Sequence, residues 1–140
     1  MSQRHHAPRE RIEVLHQVKF FDGLSSRHLE HIDRHLDEVN VEPGRVLTEE
    51  GERGYEAFII ADGVAEVRKG DEVIRETEFG EMIGEIGILE KNSLRTATVV
   101  AKTPMRLLVI NRNEMTALLR EDKLVADRVQ ENLDRHLQGR

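Results

Sequence analysis

The chain has 140 residues and a mass of 16.1 kDa, which is the size of one domain. Hydrophobic residues make up 38% and charged residues 34%, a balance that allows a buried core and excludes collagen-like, low-complexity and wholly disordered classes. The absence of cysteine excludes disulfides, thiolate zinc sites and cysteine nucleophiles. No uncharged apolar run could span a bilayer and no secretion signal opens the chain, so a cytoplasmic location without membrane insertion is expected.

The formal net charge of −6 is concentrated in the middle of the chain. Residues 21–110 hold 11 basic and 19 acidic side chains, whereas residues 111–140 hold six of each. Because no segment forms a basic footprint, direct binding to nucleic acid is not expected. An anionic ligand would need a local positive site within this acidic body.

The residues before 39 have the apolar spacing of helices. Ile12, Leu15 and Val18 suit one helical face, and Leu29, Ile32 and Leu36 suit a second. The second helix is expected to begin at a serine cap, Ser25 or Ser26.

Residues 39–110 change to the period of two that is typical of strands. About eight short strands are predicted, separated by the turns Pro43-Gly44, Gly51–Gly54, Asp62-Gly63 and Gly70-Asp71. Helical spacing returns after Asn111 and continues through Val125, Val129, Leu133 and Leu137. Many short strands with helices at both ends predict an α+β fold built on a barrel or a double-sheet roll.

One segment between strands, residues 80–98, carries the groups that could bind a ligand. Gly84 permits a tight backbone turn, and Glu85–Leu89 is expected to form one helical turn with free amides at its start. Arg95 follows at the start of the next strand. A carboxylate accepts hydrogen bonds from sugar hydroxyls and a guanidinium binds phosphate with two prongs, so Glu85 and Arg95 fit a ribose joined to a phosphate.

The run Gly84-Glu85-Ile86-Gly87-Ile88-Leu89, followed by Arg95-Thr96-Ala97, resembles the phosphate-binding cassette of cyclic nucleotide-binding domains. This family includes the bacterial catabolite activator protein, protein kinase regulatory domains and cyclic-nucleotide-gated channels. The resemblance extends over nearly the whole chain, including Phe20-Phe21, Glu50-Gly51-Glu52 and Ala57-Phe58-Ile59-Ile60.

The resemblance implies a single domain with an eight-stranded, jelly-roll-like β-roll at 39–110, N-terminal helices at 1–38 and C-terminal helices at 111–138. It also implies a bound cyclic nucleotide. Glu85 would bind the ribose 2′-hydroxyl and Arg95 the cyclic phosphate. The site would further include Gly84, Ala97, the amides of Ile86, Gly87 and Thr96 at the phosphate, and Val67, Ile74 and Thr77 near the base.

The resemblance implies a non-catalytic sensor, with cyclic AMP favoured over cyclic GMP as its ligand. Ligand binding would shift Phe79, Ile86, Ile88 or Leu89 against the terminal helices, and a second copy or an effector protein would read the change through the C-terminal helix. The family often closes its site with a residue of the last helix. No aromatic residue follows Phe79, so Arg135 and Arg140 are the candidate lid residues.

Three alternatives remain open at this point. A metal-dependent enzyme on a similar roll would need clustered ligands on the strands, but residues 39–110 contain no histidine. The roll could serve assembly without a ligand, although the Glu85 and Arg95 pair argues against it. The chain could also be the sensor module of a longer channel, kinase, acyltransferase or transcription regulator.

His28, His31 and His35 lie at helical spacing on the second predicted helix. They flank its apolar stripe, so they are interpreted as a solvated polar face and no metal is expected. The stripe from Val125 to Leu137 is expected to divide between packing on the roll and pairing with a partner helix.

Overall fold

The computed structural model describes residues 8–90 and 92–138, apart from the side chains of residues 8, 9, 86 and 136–138. The candidate lid residue Arg140 lies outside this range. Two compact units are present, a helical unit formed by residues up to Leu36 and from Asn113 onward, and a β unit, Asp37–Arg112. The described residues include no helix with the length and hydropathy that a membrane span requires.

The β unit contains eight strands and one short helix. These are β1 (Asp37–Val41), β2 (Val46–Thr48), β3 (Glu56–Asp62), β4 (Ala65–Lys69), β5 (Glu72–Glu76), β6 (Met82–Ile83), α3 (Glu85–Leu89), β7 (Thr98–Ala101) and β8 (Met105–Asn111). They form two antiparallel four-stranded sheets with strand orders β1-β8-β3-β6 and β2-β7-β4-β5. The predicted β-roll and the predicted helical turn at Glu85–Leu89 are both confirmed.

The apolar faces of the two sheets form the core of the β unit. Alternate residues of β8 illustrate the pattern, since Met105, Leu107 and Val109 all belong to one buried cluster. The cluster also includes Phe58 and Ile60 of β3. This core holds β3 in place. β3 pairs with β8 on one side and with β6 on the other, and α3 follows β6 along the chain.

The helical unit contains α1 (Pro8–His16), a 3₁₀ turn (Lys19–Phe21), α2 (Ser26–Asp33), α4 (Arg112–Glu121) and α5 (Lys123–Gln138). Leu15, Leu29, Ile32 and Leu118 are fully buried, as is Val125 of the predicted α5 stripe. Their burial explains the helical spacing seen in the sequence.

Polar contacts also join segments of the helical unit. The Arg11 Nε donates to Asp33 Oδ1 at 2.6 Å, and the buried Asn132 side chain donates to the Phe20 carbonyl oxygen at 2.9 Å. Ser25 is the N-cap residue of α2, as predicted, but its side chain makes no capping hydrogen bond.

Candidate functional site

The pairing of β6 with β3 determines where α3 begins. Ile83 of β6 lies opposite Phe58, and backbone hydrogen bonds from Ile60 to Glu81 and from Gly80 to Ile60 flank the short strand. Gly84 then adopts a positive φ of +86°, which turns the chain into α3 at Glu85. Residues that carry a side chain rarely adopt a positive φ, so the turn at this position requires glycine.

Replacing Gly84 by alanine is expected to lower the free energy of unfolding by about 1–2 kcal/mol from backbone strain alone. The loss should be larger still, because the new Cβ would lie 2.9 Å from the Glu56 carbonyl oxygen. Gly44→Ala is the matched control, since Gly44 has a similar φ of +95° but open space around it. Urea unfolding of the two variants measures the difference, and equal losses would contradict the close approach at Gly84.

Backbone pairing fixes Arg95 beside the 51–54 turn. Leu94 bridges to Arg53, the Arg95 amide donates to the Glu52 carbonyl at 2.7 Å, and the Arg95 carbonyl accepts from the Gly51 amide at 2.9 Å. The side chain of Arg95 is therefore presented from a tethered segment rather than from a free loop.

The Arg95 guanidinium lies in a cradle of three glycines. A Cβ at Gly54 or Gly84 would overlap it, and one at Gly87 would lie 3.0 Å from its Nη1 atom. The guanidinium donates to the Glu56 carbonyl oxygen at 2.7 Å and to the Gly84 carbonyl oxygen at 3.3 Å. The absence of side chains at these three positions allows the cation to approach the backbone closely.

The charge of Arg95 is half-buried and its hydrogen-bond partners are neutral. Burial lowers the pKa of its guanidinium, while the nearby Glu56 and Glu85 carboxylates oppose that shift. Its side-chain contacts within the described residues are to carbonyl oxygens and not to a carboxylate, so it does not form the surface ion pair that is common for arginine. A partly desolvated cation without a paired anion is a favourable place for an anionic ligand.

A second arginine, Arg112, contacts the same cradle. It directly follows β8 in the chain. Its Nη2 atom donates to the Gly87 carbonyl oxygen at 2.6 Å and to the Gly54 carbonyl oxygen at 3.2 Å. Its guanidinium carbon also lies 5.4 Å from the centre of the Tyr55 ring, within cation–π range. Arg112 was not predicted as a site residue, because nothing in the local sequence distinguishes it from an arginine at the start of a helix.

A pocket of about 370 Å³ opens beside Arg95. Arg95 is the one predicted site residue in its lining, and the other lining residues were not predicted. They are Leu47, Thr48, Glu49, Glu52, Arg53, Gly54, Tyr55, Glu56 and Asn111. The lining is rich in glutamate, and glutamates near an arginine do not indicate an anion site in a sequence. The sequence therefore did not predict these lining residues.

Glu85 is the first residue of α3 and is half-buried. Its carboxylate opposes the lowering of the Arg95 pKa that burial causes, and it adds to the raised pKa of Arg75, for which the hydrogen bond to Glu81 is the largest cause. The Arg95 side chain also donates to the carbonyl of Gly84, the residue before Glu85. The two predicted ligand-binding side chains therefore belong to one electrostatic environment, although Glu85 is not part of the pocket lining.

The remaining predicted site residues have varied surroundings. Thr96 is exposed and Ala97 is half-buried against the β core. Val67 is buried in that core, and Ile74 on the edge strand β5 is 47% exposed. Thr77 is buried, and its hydroxyl accepts a hydrogen bond from the Ala65 amide at 2.9 Å.

Three further residues of the sequence analysis bear on the cassette and on the lid. The Gly87 amide, predicted to face a phosphate, donates to the Gly84 carbonyl at 3.1 Å. Phe79, one of the predicted relay residues, is 58% exposed. Arg135 is exposed on α5 in the helical unit.

The fold defines a class, the β-roll of two antiparallel four-stranded sheets with a short helix between β6 and β7. The family model for the cyclic nucleotide-binding domain matches residues 38–122. The chain belongs to the cyclic nucleotide-binding domain family.

Curated relatives agree with this assignment. A cAMP-dependent protein kinase regulatory subunit from Mycosarcoma maydis is 34% identical over 116 residues, covering 76% of this chain and 22% of that protein. A cGMP-dependent protein kinase from Eimeria tenella is 30% identical over 110 residues, covering 79% of this chain and 11% of that protein. The match thus spans a minor part of each relative.

A crystal structure of a cyclic nucleotide-binding domain from Methylobacillus flagellatus has the same fold. It superposes with a TM-score of 0.79 at 23% identity, covering 94% of this chain and 76% of that one.

Proposed function

We propose that this chain is a non-catalytic sensor that binds cyclic AMP at Arg95 and Glu85 and relays binding through its C-terminal helices. The observation that carries the proposal is the half-buried Arg95 guanidinium, which is held among three glycines at a pocket wall and bonded to neutral carbonyls. A cyclic phosphate would supply the anion that this cation lacks. Glu85, one residue beyond Gly84, would accept the ribose 2′-hydroxyl.

Cyclic AMP is proposed over cyclic GMP on the strength of the relatives. cAMP-dependent kinase regulatory subunits from four organisms match this chain at 26–34% identity, and cGMP-dependent kinases from two organisms match it at 30% and 33%. Thr96 is exposed beside Arg95, so its hydroxyl is available to a ligand.

The two arginines suggest how binding would be relayed. Arg95 bonds the Gly84 carbonyl at one end of α3, and Arg112 bonds the Gly87 carbonyl within it. A phosphate that competes for Arg95 would weaken its bonds to the carbonyls of Gly84 and Glu56, leaving Arg112 as the main tether of α3. Because Arg112 is also the first residue of α4, displacement of α3 would reach the C-terminal helices along the chain.

The proposal is tested by thermal unfolding with cyclic AMP, cyclic GMP and linear AMP. A ligand that binds only the folded chain raises the melting temperature. At a ligand concentration of one hundred times the dissociation constant, the free energy of unfolding increases by about 2.7 kcal/mol. The expected order is cyclic AMP, then cyclic GMP, with no effect of linear AMP. No shift with either cyclic nucleotide would contradict the sensor and favour a ligand-free roll that serves assembly.

The relay is tested by Arg112→Gln. This variant is expected to lose less than about tenfold in cyclic AMP affinity, because Arg112 bonds the cradle and not the ligand. Hydrogen exchange of α4 and α5 should change on adding cyclic AMP to the unaltered chain and should respond much less in the variant. An identical response in both would rule out Arg112 as the link.

A second candidate places this sensor inside a larger protein. The match covers only 22% and 11% of the two curated relatives, whose remaining length carries other parts. In that setting the effector would be another domain or subunit that contacts α5, or a second copy of the chain. Detection of the chain's sequence within a longer cellular product would distinguish this candidate from a stand-alone sensor.

A further inference from the structure

Two histidines of α2 converge on one buried carboxylate of the helical unit. The Nδ1 atoms of His28 and His31 each lie 2.8 Å from the Oδ2 atom of Asp122, and the three donor atoms all fall within 4.8 Å of one another. The expected solvated polar face is therefore wrong for these two residues, and also for His35, whose side chain is 13% exposed and lies 2.8 Å from the Glu114 carboxylate. The spacing of three residues on α2 is the cause, since it aims both rings at the junction between α4 and α5.

Asp122 is held in place independently of the histidines. Its Oδ1 atom accepts a hydrogen bond from the Val125 amide at 3.1 Å, which caps the start of α5 and leaves Oδ2 for the histidines. The Val125 bond thus orients the carboxylate and leaves its second oxygen available to a ligand.

We propose that His28, His31 and Asp122 form a binding site for Zn²⁺. Two imidazole nitrogens and one carboxylate oxygen are a known ligand set for this ion, with water in the fourth position. Tetrahedral bonds of about 2.0–2.1 Å place neighbouring ligand atoms roughly 3.3 Å apart. The histidine nitrogens would therefore have to move about 0.5 Å away from Oδ2, which small side-chain rotations provide.

The site is accessible and its ligands come from separate parts of the chain. The His28 and His31 side chains are 24% and 37% exposed, so an ion and a coordinating water can reach them, while Asp122 is 7% exposed. A bound ion would cross-link α2 to the start of α5, 91 residues further along the chain from His31. Zinc would thereby stabilise the helical unit.

Zinc binding is tested by calorimetry on the full chain without an affinity tag, in a His5→Ala, His6→Ala background that removes the N-terminal histidine pair. His28→Asn and His31→Asn are the test variants, because asparagine retains a hydrogen-bond donor for Asp122 but is a poor zinc ligand. His16→Asn and His35→Asn are matched controls, since their rings bond Ser26 and Glu114 instead.

One zinc ion per chain is expected, with at least about 100-fold weaker binding in either test variant. The expected loss of affinity is larger than the roughly 10–100-fold that follows removal of an outer-shell partner, because each test variant removes a direct zinc ligand. The controls should bind as the background does. Nitrogen-15 spectra of the imidazole rings should report zinc on Nδ1 of both histidines.

Equal zinc affinity in the test variants and the controls would overturn the proposal, as would zinc on Nε2 alone. Failure of all the proteins to bind one zinc ion per chain would overturn it as well. Circular dichroism of each variant confirms that the helices are retained, so that lost binding is attributed to lost ligands. None of these outcomes depends on whether the chain binds a nucleotide.

Discussion

Replacing Arg95 by alanine is expected to weaken cyclic AMP binding by about 2–3 kcal/mol, which is roughly 30- to 150-fold in the dissociation constant. The guanidinium is the half-buried cation of the pocket wall, and its present partners are the carbonyl oxygens of Glu56 and Gly84. A phosphate would form charge-assisted bonds with it that the alanine variant loses. Titration calorimetry measures the loss.

Two further variants control this measurement. Arg95→Lys keeps the positive charge but loses the two-pronged geometry, so its affinity should fall between those of the alanine variant and the unaltered chain. Arg68→Ala removes an arginine whose guanidinium bonds Glu66, outside the cradle, and should leave affinity unchanged. Undiminished binding in Arg95→Ala would show that this arginine is not at the phosphate.

Gly54→Ala should weaken cyclic AMP binding by nearly as much as Arg95→Ala, although Gly54 has no side chain to contact a ligand. Gly54 does not have a positive φ, so alanine suits its backbone, but the new Cβ would overlap the Arg95 guanidinium. Because that group is the end of a flexible side chain, it is expected to move out of the cradle while the fold persists. The folded state should therefore survive with its cation misplaced.

A double-mutant cycle separates this mechanism from general damage. Gly54→Ala should have almost no further effect in an Arg95→Ala background, because the group that it displaces is already gone. Gly70→Ala is the control for adding a methyl group, since nothing lies within 4 Å of its Cβ position. Additive losses from Gly54→Ala and Arg95→Ala would mean that the cradle does not position the arginine.

The fold could be predicted from the sequence because its local signals agree with its long-range pairing. Period-two alternation in Ala65–Lys69 corresponds to a strand with one face in the core, since Ala65 and Val67 are both buried there, and Gly84 marks the turn that its positive φ requires. Similarly, the helical spacing of Leu29 and Ile32 reflects complete burial. Each of these features depends on neighbours within a few residues of one another.

The candidate site could be predicted only where its residues lie on one segment. Glu85 and Arg95 were recognised because they share the cassette at a fixed spacing. Arg112 reaches the same cradle from 25 residues beyond Gly87, and Gly54 from 41 residues before Arg95, so only the folded chain brings them together. The convergence of His28 and His31 on Asp122 was missed for the same reason, since 91 or more residues separate them.

The most direct measurement of the central claim is a crystal structure of the chain with cyclic AMP. We expect phosphate oxygens about 2.7–2.9 Å from the Arg95 guanidinium and the ribose 2′-hydroxyl hydrogen-bonded to Glu85. A nucleotide bound elsewhere, with Arg95 still bonded to the carbonyls of Glu56 and Gly84, would contradict cyclic AMP binding at this site.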